Sequence, residues 1–261
     1  MSRKTYRTLK VAAEVAIPVV IVATWELWAR HGDDPKFPPP SKIVQTFQDM
    51  WLFRLFDSDV VPSLERIGLG FLVAVIVGIL LGIPLGLSRP ARLFAMPHIE
   101  YWRAIPPPAL LPISIVLLHS IHNRQKVAFI GFFCLFPILL NTIDGVRGIE
   151  PTLIDTARSY GLGPLERIRR IVLPAALPQI VAGMRNSVSL AVIMMVLSEF
   201  FASTSGIGYQ LLISKNLYQL DPMWASILLI GVLGYLLNLL FLLLERRALA
   251  WHRGWRASAP A

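Results

Sequence analysis

Glu199 is the residue in this chain best placed to do chemistry, because it is an acid inside an apolar run. It follows Met194, Met195 and Ser198 near the end of a long hydrophobic segment. An intramembrane carboxylate is costly and marks a functional position by default. Met194, Met195, Ser198 and Glu199 are therefore candidate pathway or gate residues. The plainer reading is a carboxylate reaching the outer interface, helped by Ser198 and Ser203. Elsewhere the chemistry is sparse. Of five histidines, only His119 and His122 stand close, and two imidazoles without Cys or carboxylate company make no metal site. The single cysteine, Cys134, sits in an apolar run and reads as a small buried or lipid-facing hydrophobe. No phosphate-binding loop, nucleophile elbow or zinc-protease helix motif occurs, so no catalytic residue, metal or cofactor is expected. A solute moved uphill would need energy from a partner or an ion gradient.

The elements that must position these residues are membrane helices. The 261 residues are 55% hydrophobic and 16% charged, against about 25% charge in a soluble domain. Mean hydropathy is +0.59, and the apolar residues cluster in helix-length runs. The spacing predicts one all-α polytopic domain over 1–261 with six spans, at 11–28, 67–87, 98–118, 127–143, 180–202 and 223–244. The first reads as an uncleaved span, since no small-x-small cleavage site follows it. The third is interrupted by Arg103, by Ile105-Pro-Pro-Pro and by Pro112. Proline at membrane depth requires neighbouring protein or a wet cavity to satisfy freed backbone groups.

The formal charge of +9 is a topology signal rather than a nucleic-acid one. With the N-terminus inside, 17 of the 25 Lys and Arg fall on cytoplasmic segments, Arg89, Arg92 and Arg103 among them, and 8 outside. Both termini are expected in the cytoplasm of a cell-membrane protein. Arg185, just inside the fifth span, can snorkel to headgroups. In the first external loop, Ser41 is expected to cap an amphipathic helix from Lys42 to Phe53 lying at the outer interface.

The polar stretch at 147–178 interrupts the membrane-like second half. It carries Arg147, Arg158, Arg167, Arg169 and Arg170. Pro151 suits a first helical turn, and Leu153, Ile154, Ala157, Tyr160 and Gly161 fall on one side of the helix that follows. Gly161-Leu-Gly-Pro forces a turn, and Leu165, Ile168, Ile171 and Val172 form the apolar side of a second helix. The arginines of that helix can meet anionic lipid headgroups. Ala157 and Gly161 are expected to leave an open, side-chain-poor face for close docking.

These residues resemble the E-A-A loop of ABC importer permeases. That pattern reads here as Asp155-Thr156-Ala157, Gly161 and Ile171-Val-Leu173-Pro174, with its spacing kept. Asp155 replaces the family's Glu and Thr156 its second Ala. Further segments look like the nitrate, sulfonate and taurine permeases: Phe37-Pro-Pro-Pro-Ser41, Ser63-Leu-Glu-Arg66, Gly78-Ile-Leu-Leu-Gly82, Arg103-Ala-Ile-Pro106 and Ser205-Gly-Ile-Gly-Tyr209. The outer loop 119–126 departs from that pattern. The resemblance implies the type I ABC importer permease fold, with a cytoplasmic coupling helix seated on a separate ATPase. Leu153, Ile154, Asp155, Thr156, Ala157, Arg158, Ser159, Tyr160, Gly161, Leu162 and Gly163 would make that contact. It further implies two cytoplasmic ATPase subunits that bind the ATP, an external solute-binding protein and a second permease copy. The cargo would be a small sulfonate-, taurine- or nitrate-like anion, or, on the same fold, a thiamine-precursor pyrimidine or aromatic carboxylate. An ATP-independent secondary transporter would show acids and broken helices in two related halves. A membrane-embedded enzyme would show converging polar groups.

Overall fold

The computed structural model describes residues 3–32, 36–118, 123–201 and 203–250, with side chains from residue 16 onward. Among these, every regular element is a helix. They are α1 Arg3–His31, α2 Pro40–Phe47, α3 Val61–Leu87, α4 Arg89–Ala104, α5 Pro107–Leu118, α6 Asn123–Arg147, α7 Pro151–Ser159, α8 Pro164–Arg167, α9 Leu173–Phe201, α10 Ile207–Asn216 and α11 Leu220–Ala248. Wider π-type turns at Gln48–Arg54 and Phe56–Val60 carry the chain from α2 into α3, and another at Ile168–Val172 joins α8 to α9.

The core of the bundle is the stack α3–α6–α9. The sequence makes this stack by placing a small residue every fourth position along α3: Gly70, Ala74, Gly78, Gly82 and Gly86, all buried. A repeat of four keeps one face of a helix nearly aligned, and small residues there let two backbones approach. A Cβ added at Gly70, Gly78, Gly82 or Gly86 would come within 2.5–2.8 Å of the side chains of Ile130, Ile138, Thr142 or Val146 on α6. The α6–α9 seam repeats the device. A Cβ at Gly183 would lie 2.7 Å from the Pro137 carbonyl oxygen. Ser187 donates to the Cys134 carbonyl at 2.8 Å, and the Cys134 thiol donates to the Ser187 carbonyl at 3.5 Å. Cys134 is thus a buried core residue rather than a lipid-facing one.

Four helical stretches are long and apolar enough to cross a membrane: Phe56–Leu87, Asn123–Arg147, Pro164–Phe201 and Leu220–Ala248. They contain the second, fourth and sixth expected spans, and the fifth as far as Phe201, residue 202 lying outside the described part. The first expected span lies within α1, of which the side chains before residue 16 fall outside the described part. The third is two helices, α4 and α5, bent by 100° at Ile105-Pro106. His119 and His122 lie outside the described residues. No group able to hold a metal occurs among the described ones.

The expected Ser41 cap is corrected. Pro39 is the N-cap and Pro40 begins α2, so Ser41 lies inside its first turn. Glu26 of α1 does the capping: its carboxylate accepts the Ser41 N–H at 2.9 Å and the Ser41 hydroxyl at 2.7 Å. A carboxylate at a helix start is favourable both for the orphan N–H groups and for the dipole. Arg185 lies 3.6 Å from Glu245 of α11, with its side chain about half exposed.

Candidate functional site

Two sites occupy opposite ends of the α3–α6–α9 stack. At the end near Arg147, α7 stands out as a short helix held between two long ones. Glu150 precedes it as a non-helical N-cap, with φ −58° and ψ 130°, and Pro151 starts it. It ends in a paired-bond cap: Leu162 N–H donates to Ala157 O at 3.1 Å and Gly161 N–H to Arg158 O at 2.9 Å. This Schellman arrangement needs a left-handed residue at Gly161, whose φ is +72°. Nothing lies within 4 Å of where its Cβ would be. Gly161 is thus required by backbone angle, and the space around it is open.

Ala157 corrects the docking expectation. It is 2% exposed and faces inward, where α7 packs on the turn Ile168–Val172. Its smallness seats the helix on its own chain. The outward surface is carried by others: Leu153, Asp155, Thr156, Arg158, Ser159 and Gly163 are exposed, as are Tyr160 at 82% and Leu165 at 80%. Ile154 and Leu162 are half-buried. Asp155 and Arg158 pair with each other at 3.1 Å. Beside the helix, Asp144, Glu150, Thr152, Thr156 and Gln179 line an open cavity of about 840 Å³. Ile149, Ile154 and Ile168 pack on a cluster of Ile83, Val146, Val172, Ala176 and Ile180, so α7 is seated through Ile154 and the Ile168–Val172 turn on a core shared by α3, α6 and α9.

At the other end lies a buried polar knot. Glu199 is fully buried, and Arg66, at 3% exposure, donates from Nη1 to Glu199 Oε1 at 2.5 Å. Arg66 also donates to Asn123 Oδ1 at 2.9 Å, to the Ser205 carbonyl at 2.9 Å and to the Ser205 hydroxyl at 3.2 Å. Ser63 Oγ lies 2.8 Å from Glu199 Oε1. The start of α10 closes the set. Gly206 N–H donates to Asp59 Oδ1 at 2.8 Å, Ile207 N–H to Ser63 Oγ at 3.0 Å and Gly208 N–H to Glu199 Oε2 at 2.8 Å. Lys126 is buried and interacts electrostatically with Arg66 and Glu199. Two cations and two carboxylates, Arg66, Lys126, Asp59 and Glu199, therefore share one apolar enclosure. A buried ion set of this kind is viable only when each charge is matched and hydrogen-bonded. Gly206 allows the closure, since its φ is +124° and a Cβ there would meet the Glu199 carboxylate at 2.4 Å.

Ser198 and Ser203 bond elsewhere, Ser198 to the Met195 carbonyl and Ser203 to the Ser205 carbonyl. Met194 and Met195 are core residues packed with Trp51, Leu111 and Phe129. The four residues expected to face a pathway thus lie inside the chain. Sequence reasoning found Glu199 but missed Arg66, Asp59 and Ser63 as its companions. The available signal was an unpaired acid at membrane depth, which demands a cation.

Four helical stretches able to cross a membrane, with an exposed helix-turn between two of them, make this an integral membrane protein with one surface element between its spans. The description "Binding-protein-dependent transport system inner membrane component" fits the chain over residues 74–249, and the chain belongs to that family of ABC importer permeases. It is 31% identical over 255 residues to the putative aliphatic sulfonates transport permease protein SsuC of Bacillus subtilis, covering 97% of this chain and 91% of that one. It is also 31% identical over 244 residues to the bicarbonate transport system permease protein CmpB of Synechococcus elongatus, covering 88% and 84%. The inward-facing methionine ABC transporter MetNI shares the fold, with a TM-score of 0.64 and 20% identity over 76% of this chain and 97% of that one.

Proposed function

We propose that this permease imports a small organic sulfonate or a similar oxyanion. An external solute-binding protein delivers the anion, and two copies of a separate ATPase drive the step. The observation that carries the coupling half is the exposed surface of α7 and the turn after it, where Leu153, Tyr160 and Leu165 are bare while the helix is seated on the Ile168–Val172 turn that leads into α9. Exposed apolar anchors on a rigid, polar-rimmed element are what a protein partner grips. Residues 153–163 form the ATPase contact, and the nucleotide belongs to that partner, so the permease carries no cofactor. A second copy of this chain completes the transporter, with both termini cytoplasmic and the polar knot toward the outside. The relatives' sulfonate and bicarbonate names support the oxyanion class.

Copurification tests the assembly, since an ATPase should come with this chain in detergent and be lost from Tyr160→Asp. Uptake of radiolabelled taurine, alkanesulfonates, nitrate and bicarbonate by cells carrying the transporter tests the cargo. Uptake of a neutral pyrimidine and none of these anions would overturn it.

A further inference from the structure

The break between α4 and α5 puts charge and bare backbone where lipid cannot serve them. The ring centroids of Trp102 and Phe132 are 5.9 Å apart. Phe132 is nine residues into α6, about 14 Å from its Asn123 end and about 22 Å from its Arg147 end. Ile99 packs on Phe136, Leu139 and Ile143 of the same helix. The C-terminal end of α4 therefore lies deep in a hydrocarbon layer about 30 Å thick. Arg103, counted from sequence among the cytoplasmic charges, is at this deep end.

Three observations there agree. Arg103 and Glu100 are half-exposed, 47% and 53%, and touch through one contact of 3.3 Å. That contact uses Nη1 alone, and a guanidinium has five N–H donors. The carbonyls of Trp102, Arg103 and Ala104 would bond in a continuing helix to the N–H groups of residues 106, 107 and 108, all prolines. The helix ladder thus gives these carbonyls no donor. Half-exposed charges and unladdered carbonyls at membrane depth need either neighbouring protein or a water-filled cavity, and protein covers only about half of each charged side chain here.

We infer that the 100–106 face of the α4–α5 break lines the wet translocation pathway, and that Arg103 is the side chain that contacts the passing oxyanion. A planar guanidinium matches the oxygens of a sulfonate or carbonate, and forks bidentate onto such groups. The single Glu100 contact holds Arg103 between passages and is weak enough to exchange for substrate. The anion assignment rests on the oxyanion reading above, whereas the wet face does not.

The test uses the assembled transporter in membranes. Cys134 is fully buried, which makes the native chain a quiet background for thiol labelling. Glu100→Cys, one turn before Arg103 on the same side of α4, should react with a membrane-impermeant anionic thiosulfonate at least tenfold faster than Leu80→Cys on the exposed apolar face of α3. Equal, negligible reactivity at both would overturn the wet face. Arg103→Gln should lower oxyanion uptake at least tenfold at unchanged membrane abundance and ATPase copurification, with Arg103→Lys recovering part of it. Wild-type uptake by Arg103→Gln would overturn the anion contact alone. Should the wild type import only a neutral solute, the oxyanion reading and the Arg103 contact both fail, while labelling still decides the wet face.

Discussion

The two ends of the bundle use the same ion-pair chemistry to opposite effect. At the knot, Arg66 and Glu199 are 133 residues apart in sequence and sealed from solvent. On the coupling loop, Arg158–Asp155 and Arg170–Glu166 are neighbours at i,i+3 and i,i+4, with side chains 42–68% exposed. A buried pair cannot lose one member without stranding the other charge, whereas an exposed helical pair simply exchanges its partner for water. One end is therefore committed to a single arrangement, and the other leaves its charges free for a partner.

The largest effect should come from splitting the knot. Glu199→Ala or Arg66→Ala should each destabilise the protein by about 3–5 kcal/mol, seen as early loss of helicity on heating in detergent. The double variant should lose less than the sum. Additive losses would mean that the two side chains act independently. Next comes Gly206→Ala, which must push a methyl against the Glu199 carboxylate at a φ few side chains adopt. It should cost about 2 kcal/mol or more. Ala157→Asp should follow, because that side chain faces inward. A charge there should loosen α7 and raise proteolysis within 150–163, beyond any failure to couple. Gly161→Ala should cost about 1–2 kcal/mol through the left-handed angle alone, with Gly161→Asn milder. Arg158→Ala should change stability by no more than about 0.5 kcal/mol. If it still reduces substrate-stimulated ATP hydrolysis, Arg158 acts on the partner rather than on the fold.

What the sequence revealed divides along the same line. Local signals carried through: the apolar runs, the proline break after Arg103, the Pro151 start and the Gly161 turn all act within a few residues of themselves. Distant signals did not. Glu199 was visible as an anomaly, but nothing near it in sequence names Arg66, because the pairing is fixed by the depth at which α3 and α9 cross. Ser41 looked like a cap because Ser is a favoured one, yet Pro39-Pro40 started the helix two residues earlier and α1 supplied the carboxylate. Ala157 read as open because Ala is small. Which side of a short helix meets its own chain is decided by the tertiary seat, and here smallness serves the inward side.

The glycine groove of α3 also sets an order of events during synthesis. Gly78 meets Ile138, so α3 emerges about 60 residues before the ridge that fills its groove, a wait of roughly 3–12 s at ordinary elongation rates. Arg66 waits longer still for Glu199. Through that interval the growing chain holds an empty slot and an unanswered positive charge, and only the ninth helix completes both ends of the stack. A chain ended before residue 199 would therefore leave Arg66 without the carboxylate that answers it.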